Sequence, residues 1–257
     1  MEFLQPTNWE DALAAKGSHP EAVPIQGGTD VMVEMNFDRH RPEVLLDLSR
    51  VRELKDWSRD NGLIRVGSGV PYAQLVRDLA QDMPGLAIAA RTVGSPQIRN
   101  RGTVGGNLGA ASPAGDSHPP LLASHATYVV ASKARGERQV PAREFYIGPK
   151  RNCLEPDELI AAILLSPATG GQQFAKVGQR NAMVIAVCSF AVAIDRVGRK
   201  VGTGIGSAGP TPLVADEAQT FLADVLTSQD LWESPGLPDA GALEQFGRLA
   251  SDAARPI

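Results

Sequence analysis

Two pairs of adjacent glycines stand beside hydroxyl, amide and carboxylate side chains, and this combination suits the binding of a phosphate group. The first pair lies in PIQGGTD, residues 24–30, and the second lies in RGTVGGN, residues 101–107. Adjacent glycines leave successive backbone N–H groups uncovered, and such groups can bind a phosphate. Two segments of this kind could hold one diphosphate from two sides. A plain tight turn, in which Asp30 caps the next helix, explains the first segment equally well.

The second segment continues with further polar residues, Ser112 and Asp116, in SPAGD. The Asp116 carboxylate could accept hydrogen bonds from a ribose or ribityl hydroxyl group. The whole stretch 94–120 shows neither helical nor strand periodicity, so we predict a long loop. Loops of this length in a compact domain are usually functional or disordered. An ordinary surface loop does not need Thr, Asn, Ser and Asp together, so the sequence favours a ligand-binding loop.

A third candidate site lies in FAKVGQRNAMVIA, where Lys176 interrupts an otherwise apolar strand and Arg180 follows in a turn. A cation at this place could face an electron-rich ring. The alternative is a lysine whose aliphatic stem lies on the sheet surface while its ammonium group reaches solvent. The residues by themselves do not decide between the two.

One motif is disfavoured as a site. GIGSAG, residues 204–209, fits the glycine pattern of a dinucleotide fingerprint. Pro210 and Pro212 follow at once, however, and no regular series of βα units leads on from it. The four histidines show no spacing typical of a metal site, and a structural role is the better interpretation of His125.

The elements that must position these residues are short. We predict a helix over 7–17, a strand before the first glycine pair, and a long hairpin over 184–209 that turns near Gly198. Two amphipathic helices are predicted close to the end of the sequence, around 216–226 and 241–253. Further strands are predicted at EVLLDLS (43–49), LIRVGSG (63–69), ATYVVAS (126–132), ELIAAILLSP (158–167) and QQFAKVGQ (172–179).

Composition excludes several classes of protein. The 257 residues carry a net charge of −4 and only 5% are aromatic, which argues against nucleic acid or an anionic membrane as a partner. No apolar run is long enough to span a bilayer. Two cysteines cannot form a disulfide framework, so a cytoplasmic location is expected. Pro and Gly cluster at 166–173, and we predict domains at 1–170 and 171–257.

PIQGGTDVM, IRNRGTVGGNLGAASPAGD and AKVGQRNAMVIAV, in this order, resemble the FAD-binding (medium) subunit of the molybdenum hydroxylases. This is the family of xanthine dehydrogenase and carbon monoxide dehydrogenase. The resemblance extends from about Phe3 to GIGSAGPTPLVADEAQTFL. It implies an α+β fold of the vanillyl-alcohol-oxidase (PCMH) type, in which FAD lies between two α/β lobes. A C-terminal sheet-and-helix lobe follows them.

The resemblance also implies the contacts of a non-covalent FAD. The first segment would wrap the diphosphate through Ile25, Gln26, Gly27, Gly28, Thr29 and Asp30. The second segment would approach from the other side through Thr103, Gly105, Gly106, Asn107 and Asp116. Leu159 and Ile160 would touch the adenine or ring region, and Lys176 would lie near the isoalloxazine. The glycines are expected because a side chain would occupy the space of the phosphates.

The implied partners are an iron–sulfur small subunit with two [2Fe–2S] clusters and a large subunit with molybdopterin. Together with this chain they would form a heterotrimeric complex, with or without dimerisation of the trimer. Electrons would pass from substrate through the partner subunits and FAD to an external acceptor, so a different subunit would choose the substrate. Two cysteines cannot hold a Cys₄ cluster in this chain.

This sequence departs from the family pattern at two positions. Val184 stands where an acidic residue is common on a loop that borders the flavin, and His118 stands where an apolar residue is commoner. Two other classes of protein remain open. One is a free-standing flavin oxidase of the same fold, and the other is a scaffold without cofactor, which the intact glycine segments disfavour.

Overall fold

Three β-sheets of three or more strands follow one another along the chain in the computed structural model, which describes residues 1–234 and 236–255. The strands are β1 (Glu2–Leu4), β2 (Val23–Ile25), β3 (Val44–Asp47), β4 (Trp57–Asp60), β5 (Leu63–Gly67), β6 (Thr127–Ser132), β7 (Gly136–Pro141), β8 (Tyr146–Gly148), β9 (Arg151–Asn152), β10 (Leu159–Leu165), β11 (Gln172–Val177), β12 (Cys188–Asp195) and β13 (Lys200–Gly206). The helices are α1 (Trp9–Ser18), α2 (Val31–Asn36), α3 (Tyr72–Asp78), α4 (Pro84–Thr92), α5 (Pro96–Arg99), α6 (Val104–Ala110), α7 (His118–Ala123), α8 (Ala142–Phe145), α9 (Asp216–Ser228) and α10 (Ala240–Asp252), with a 3₁₀ helix at Arg52–Leu54.

The first sheet is parallel, with the strand order β1-β3-β2. All four residues of β3 are buried, as expected for a central strand between two neighbours. Helix α1 packs on this sheet through the fully buried Ala12, and the Asn8 side chain caps the helix by accepting from the Asp11 N–H at 2.8 Å. This lobe carries the first glycine pair at the end of β2.

The second sheet is antiparallel, with the order β4-β5-β10-β6-β7. Its core combines residues of the strands with residues of α3 and α6, among them Ile64, Leu75, Leu108, Tyr128 and Ile163, all fully buried. Strand β10 is central and both of its faces are covered, which explains why LIAAILL reads as a continuous apolar run.

The third sheet is an antiparallel meander, β11-β12-β13. Helices α4 and α7 pack against it, and α9 also packs on β13 and on α10. The glycines of β13 permit close packing of α7, because a Cβ at Gly202 or Gly204 would lie 1.8 or 2.1 Å from a carbonyl oxygen of Ala123 or Pro119. The first three residues of GIGSAG thus end an antiparallel strand, and Gly204 packs against α7, so the structure does not have the strand–turn–helix unit of a dinucleotide fingerprint at this motif.

The predicted strands and the hairpin over β12 and β13 are confirmed, but the prediction of a long loop over 94–120 is wrong. That stretch contains α5, α6 and α7, which have 4, 7 and 6 residues. Helices this short show no clear periodicity in a sequence. The signal that was missed is capping, since the Ser95 and Thr103 hydroxyls accept from the N–H groups of Ile98 and Gly106.

Within 1–234 and 236–255, no helix is both long and apolar enough to cross a membrane. The same residues contain no group of three or more His, Cys, Asp or Glu side chains placed to hold a metal ion.

Candidate functional site

The first glycine pair lies at a strand-to-helix turn, as predicted, between the end of β2 and the start of α2. Gly28 has a φ of +77°, a conformation that glycine adopts without strain. The five backbone N–H groups of residues 26–30 donate to no acceptor in the part of the chain that the structure describes. Asp30 occupies the cap position of α2 but makes no side-chain capping bond, so the capping interpretation is wrong. A run of free N–H groups at one turn is able to bind an anion.

The second glycine pair lies in the first turn of α6. The Thr103 hydroxyl accepts from the Gly106 N–H at 2.9 Å, and the Gly105 N–H donates to the Ser68 carbonyl at 3.1 Å. A Cβ at Gly105 would lie 2.4 Å from the Ser68 Cβ, whereas a Cβ at Gly106 would meet only the Thr103 Oγ1, at 3.1 Å. Gly106 is exposed, and it is the glycine of this pair that leaves open space beside it.

The two glycine segments touch each other. A Cβ at Gly27 would lie 2.0 Å from the carbonyl oxygen of Arg101, the first residue of the second segment. The expectation that phosphate space explains all of these glycines is therefore wrong for Gly27 and Gly105, because protein atoms fill that space. It remains a sound explanation for Gly106. The contact places the free N–H groups of the first turn beside the start of α6.

Lys176 and Asp116 form a buried ion pair. Lys176 Nζ lies 2.7 Å from Asp116 Oδ2, and the two side chains are 7% and 10% exposed. The same ammonium group donates to the carbonyls of Thr92 and Val184, at 3.1 and 3.2 Å. The alternative of a lysine reaching solvent from the sheet surface is therefore wrong. This ion pair joins β11 of the third sheet to the segment between α6 and α7.

Asp116 keeps one oxygen free for a further donor. Its Oδ1 is buried and has no hydrogen-bond partner among the described residues. Burial raises the pKa of Asp116, while the hydrogen bonds from Lys176 and Thr92 oppose that rise. A buried acceptor without a donor is costly, so this oxygen suits a hydroxyl group of a bound molecule.

A group of buried polar side chains lies behind Asn107, and sequence reasoning missed it. Ser117 Oγ donates to Asn107 Oδ1 at 2.5 Å, and the Tyr72 hydroxyl lies 3.3 Å from Ser117 Oγ. Tyr72 stands 45 residues before Ser117 in the sequence, and no local pattern connects them. The family pattern had singled out Asn107, Asp116 and His118, but neither Ser117 nor Tyr72.

His118 is fully buried, and its Nδ1 lies 2.8 Å from the Tyr146 hydroxyl. Burial lowers the pKa of His118 to about 3, so the ring is neutral at physiological pH. A Cβ at Gly115 would lie 2.2 Å from His118 Nε2. The ring thus packs against the backbone just before Asp116 and helps to hold that segment in place.

Two of the remaining predicted site residues lie in the hydrophobic core, and the others lie at the first glycine turn. Leu159 and Ile160 on β10 are 2% and 8% exposed, and each belongs to a hydrophobic core cluster. Their contact with a cofactor stays a prediction. Gln26, by contrast, lies at the first turn, and its buried Oε1 has no partner among the described residues. Ile25 ends β2, and Thr29 lies in the same turn near Gly102.

These features fit a cofactor that carries a diphosphate and several hydroxyl groups. Residues 26–30 offer N–H donors, Gly106 leaves space, and Asp116 Oδ1 offers an acceptor. The N–H groups and the carboxylate oxygen have no hydrogen-bond partner among the described residues, so they are available to a bound molecule.

Comparison with known proteins shows the family to which this chain belongs. Residues 1–167 match the family model described as the FAD binding domain in molybdopterin dehydrogenase. The nicotinate dehydrogenase FAD-subunit of Eubacterium barkeri is 30% identical over 247 residues, which cover 91% of this chain and 83% of the relative. The caffeine dehydrogenase subunit beta of Pseudomonas sp. (strain CBB1) is 32% identical over 239 residues, 90% of this chain and 81% of the relative.

A solved structure of the Cu,Mo-CO dehydrogenase in its cyanide-inactivated form has the same fold, with a TM-score of 0.88 and 26% identity over 100% of this chain and 88% of that one. Fold and relatives together define the class, an α+β subunit of an oxidoreductase. More particularly, the chain belongs to the family of FAD-binding domains of molybdopterin dehydrogenases. The sequence predictions of family, fold, cofactor and oxidoreductase class are confirmed.

Proposed function

We propose that this chain binds the FAD diphosphate non-covalently between the turn at 26–30 and Gly106, as the flavoprotein subunit of a molybdopterin-dependent dehydrogenase. The observation that carries the proposal is the row of five backbone N–H groups that donate to no described acceptor, in a turn that contacts Arg101 and Gly102 at the start of the second glycine segment. A phosphate would supply acceptors for those donors, and Thr29 could add a hydroxyl donor.

The other side chains of the site would orient the cofactor. Asp116 Oδ1 would accept from a ribityl or ribose hydroxyl, and Lys176 would hold Asp116 in position through their ion pair. Lys176 would also lie near the flavin ring, and Leu159 and Ile160 near the adenine or ring region. When bound, FAD supplies the redox chemistry, and the protein supplies binding, orientation and electrostatics.

The proposed complex contains this chain, an iron–sulfur subunit and a molybdopterin subunit. Both relatives are named as subunits of dehydrogenases, which supports an assembly of this kind. In the complex, this chain would receive electrons from the iron–sulfur partner and pass them to an external acceptor. The division at 170/171 and the cytoplasmic location are parts of the same proposal.

The cofactor proposal is tested by extracting the flavin from the purified chain. We expect one flavin per chain in the visible spectrum, all of it released by acid precipitation, and FAD in the supernatant by chromatography. FMN in the supernatant, or flavin that stays on the protein pellet, would contradict non-covalent binding of a diphosphate cofactor.

A further inference from the structure

Asn107 is bound from the inside of the protein by a chain of two hydroxyl groups. Ser117 Oγ lies 2.5 Å from Asn107 Oδ1, and the Tyr72 hydroxyl lies 3.3 Å from Ser117 Oγ. Ser117 is 0% exposed and Tyr72 is 2% exposed. The three side chains come from α6, the residue before α7, and α3, so tertiary folding alone brings them together.

The number of available protons decides in which direction the hydrogen bonds between Tyr72, Ser117 and Asn107 run. If Tyr72 donates to Ser117 and Ser117 donates to Asn107 Oδ1, each hydroxyl proton has an acceptor. If the Asn107 amide were reversed, its NH₂ would donate to Ser117, Ser117 would donate to Tyr72, and the Tyr72 proton would have no acceptor among the described residues. A buried donor without an acceptor is unfavourable, and burial keeps the Tyr72 hydroxyl protonated by raising its pKa.

The other end of the amide is not used by the protein. Asn107 Nδ2 donates to no group within 1–234 and 236–255, and it is not buried. Asn107 follows directly after Gly106, the glycine with open space beside it. The two ends of an amide have nearly the same size and shape, so only hydrogen bonding selects which one points outward.

We propose that Ser117, with Tyr72 behind it, is a positioning residue that holds the Asn107 amide with its NH₂ group directed toward bound FAD. The inference rests on the proposed function, because it requires FAD beside Gly106. Ser117 itself does not touch the cofactor. Its effect on FAD affinity must therefore pass through Asn107, and this requirement makes the inference testable.

The test is a double-mutant cycle on the FAD dissociation constant, measured by fluorescence titration of the apoprotein. We expect Ser117→Ala to weaken FAD binding about tenfold in the wild-type background, the loss of one oriented hydrogen bond. In the Asn107→Ala background the same change should have no further effect. An equal loss in both backgrounds, or no loss in the wild-type background, would overturn the inference.

Further variants separate positioning from folding. Tyr72→Phe removes only the hydroxyl that is farther from Asn107 and should weaken FAD binding less than Ser117→Ala does. Ser117→Cys keeps a side chain of similar shape but is a poor donor, so it should behave like Ser117→Ala, and Ser117→Thr should restore affinity. If Ser117→Ala does not fold, Tyr72→Phe and Ser117→Cys each replace it in the double-mutant cycle with Asn107→Ala.

Ser124→Ala is the matched control. Ser124 lies just after the other end of α7, and its hydroxyl makes no hydrogen bond within the described chain, so FAD affinity should not change. Failure of the wild-type protein to bind FAD would refute the proposed function itself. Wild-type binding with an unaffected Ser117→Ala variant would refute only the role of Ser117.

Discussion

At the residue scale, Gly106 and Asp116 are two positions where the protein leaves space or bonding capacity for a cofactor. The open side of Gly106 and the free Oδ1 of Asp116 are both unused by the described protein atoms. Gly27 and Gly105 are different, because backbone or side-chain atoms already fill the place of a Cβ. Substitutions at these positions should therefore separate binding from folding.

Gly106→Val should weaken FAD binding at least tenfold while the apoprotein stays folded. The branched side chain would occupy the approach to the diphosphate, whereas within the protein it meets only Thr103 Oγ1, at 3.1 Å. Valine costs a helix no more than glycine does, so the free energy of unfolding should change by less than about 1 kcal/mol. Fluorescence titration and thermal unfolding measure the two quantities. Gly109→Val is the control, since a Cβ there meets no protein atom within 4 Å. Full FAD affinity in the Gly106→Val variant would refute the proposed diphosphate site.

FAD affinity should fall as the pH drops through the pKa of Asp116. Burial raises this pKa above its ordinary value of 3.8, so the loss should begin at a higher pH than for an exposed aspartate. Protonation removes an acceptor and the ion pair with Lys176, and one proton changes the dissociation constant by at most about tenfold per pH unit. Titrations over about pH 4 to 8 test this. Asp116→Asn should bind FAD more weakly at neutral pH and should lack this pH-dependent loss of affinity. If the variant and the wild type show the same dependence of FAD affinity on pH, Asp116 is not the group that titrates.

At the scale of elements, the turn after β2 contacts Arg101 and Gly102, just before α6, and this contact joins the two glycine segments of the candidate site. Gly27→Ala should destabilise the apoprotein by about 1–3 kcal/mol, because its Cβ would lie 2.0 Å from the Arg101 carbonyl oxygen and the backbone must shift. Thermal or urea unfolding of the apoprotein measures the change. Gly171→Ala, which meets no protein atom within 4 Å, should change stability by less than about 0.5 kcal/mol. Equal stability of the two variants would show that this contact does not constrain the fold.

The elements also show what a sequence can predict. β10 and the β12–β13 hairpin were predictable because consecutive buried residues appear in the sequence as a run of apolar residues between turn residues. The turn at the first glycine pair was predictable because turn chemistry is local. The ion pair between Lys176 and Asp116 spans 60 residues, and the bond between Ser117 and Tyr72 spans 45. Such contacts depend on how the sheets and helices pack together, which local periodicity does not encode.

At the scale of the whole molecule, the site depends on more than the portion that matches the family model. That match ends at residue 167, yet Lys176 on β11 supplies the ion pair to Asp116. Helices α4 and α7 pack against the third sheet, and Thr92, at the end of α4, contacts both partners of the ion pair. The third sheet therefore supports Asp116 in the candidate site.

The central claim is that this chain carries electrons for a complex and does not oxidise an organic substrate by itself. Anaerobic stopped-flow absorbance at the flavin band tests it most directly, with the isolated chain compared with the chain reconstituted with its iron–sulfur and molybdopterin partners. We predict that dithionite reduces the flavin of the isolated chain, that the substrate of the complex does not, and that adding the partners restores rapid reduction by that substrate. Rapid reduction of the isolated chain by substrate would contradict the claim and favour a free-standing flavin oxidase, and no reduction in the reconstituted complex would contradict a role in electron transfer.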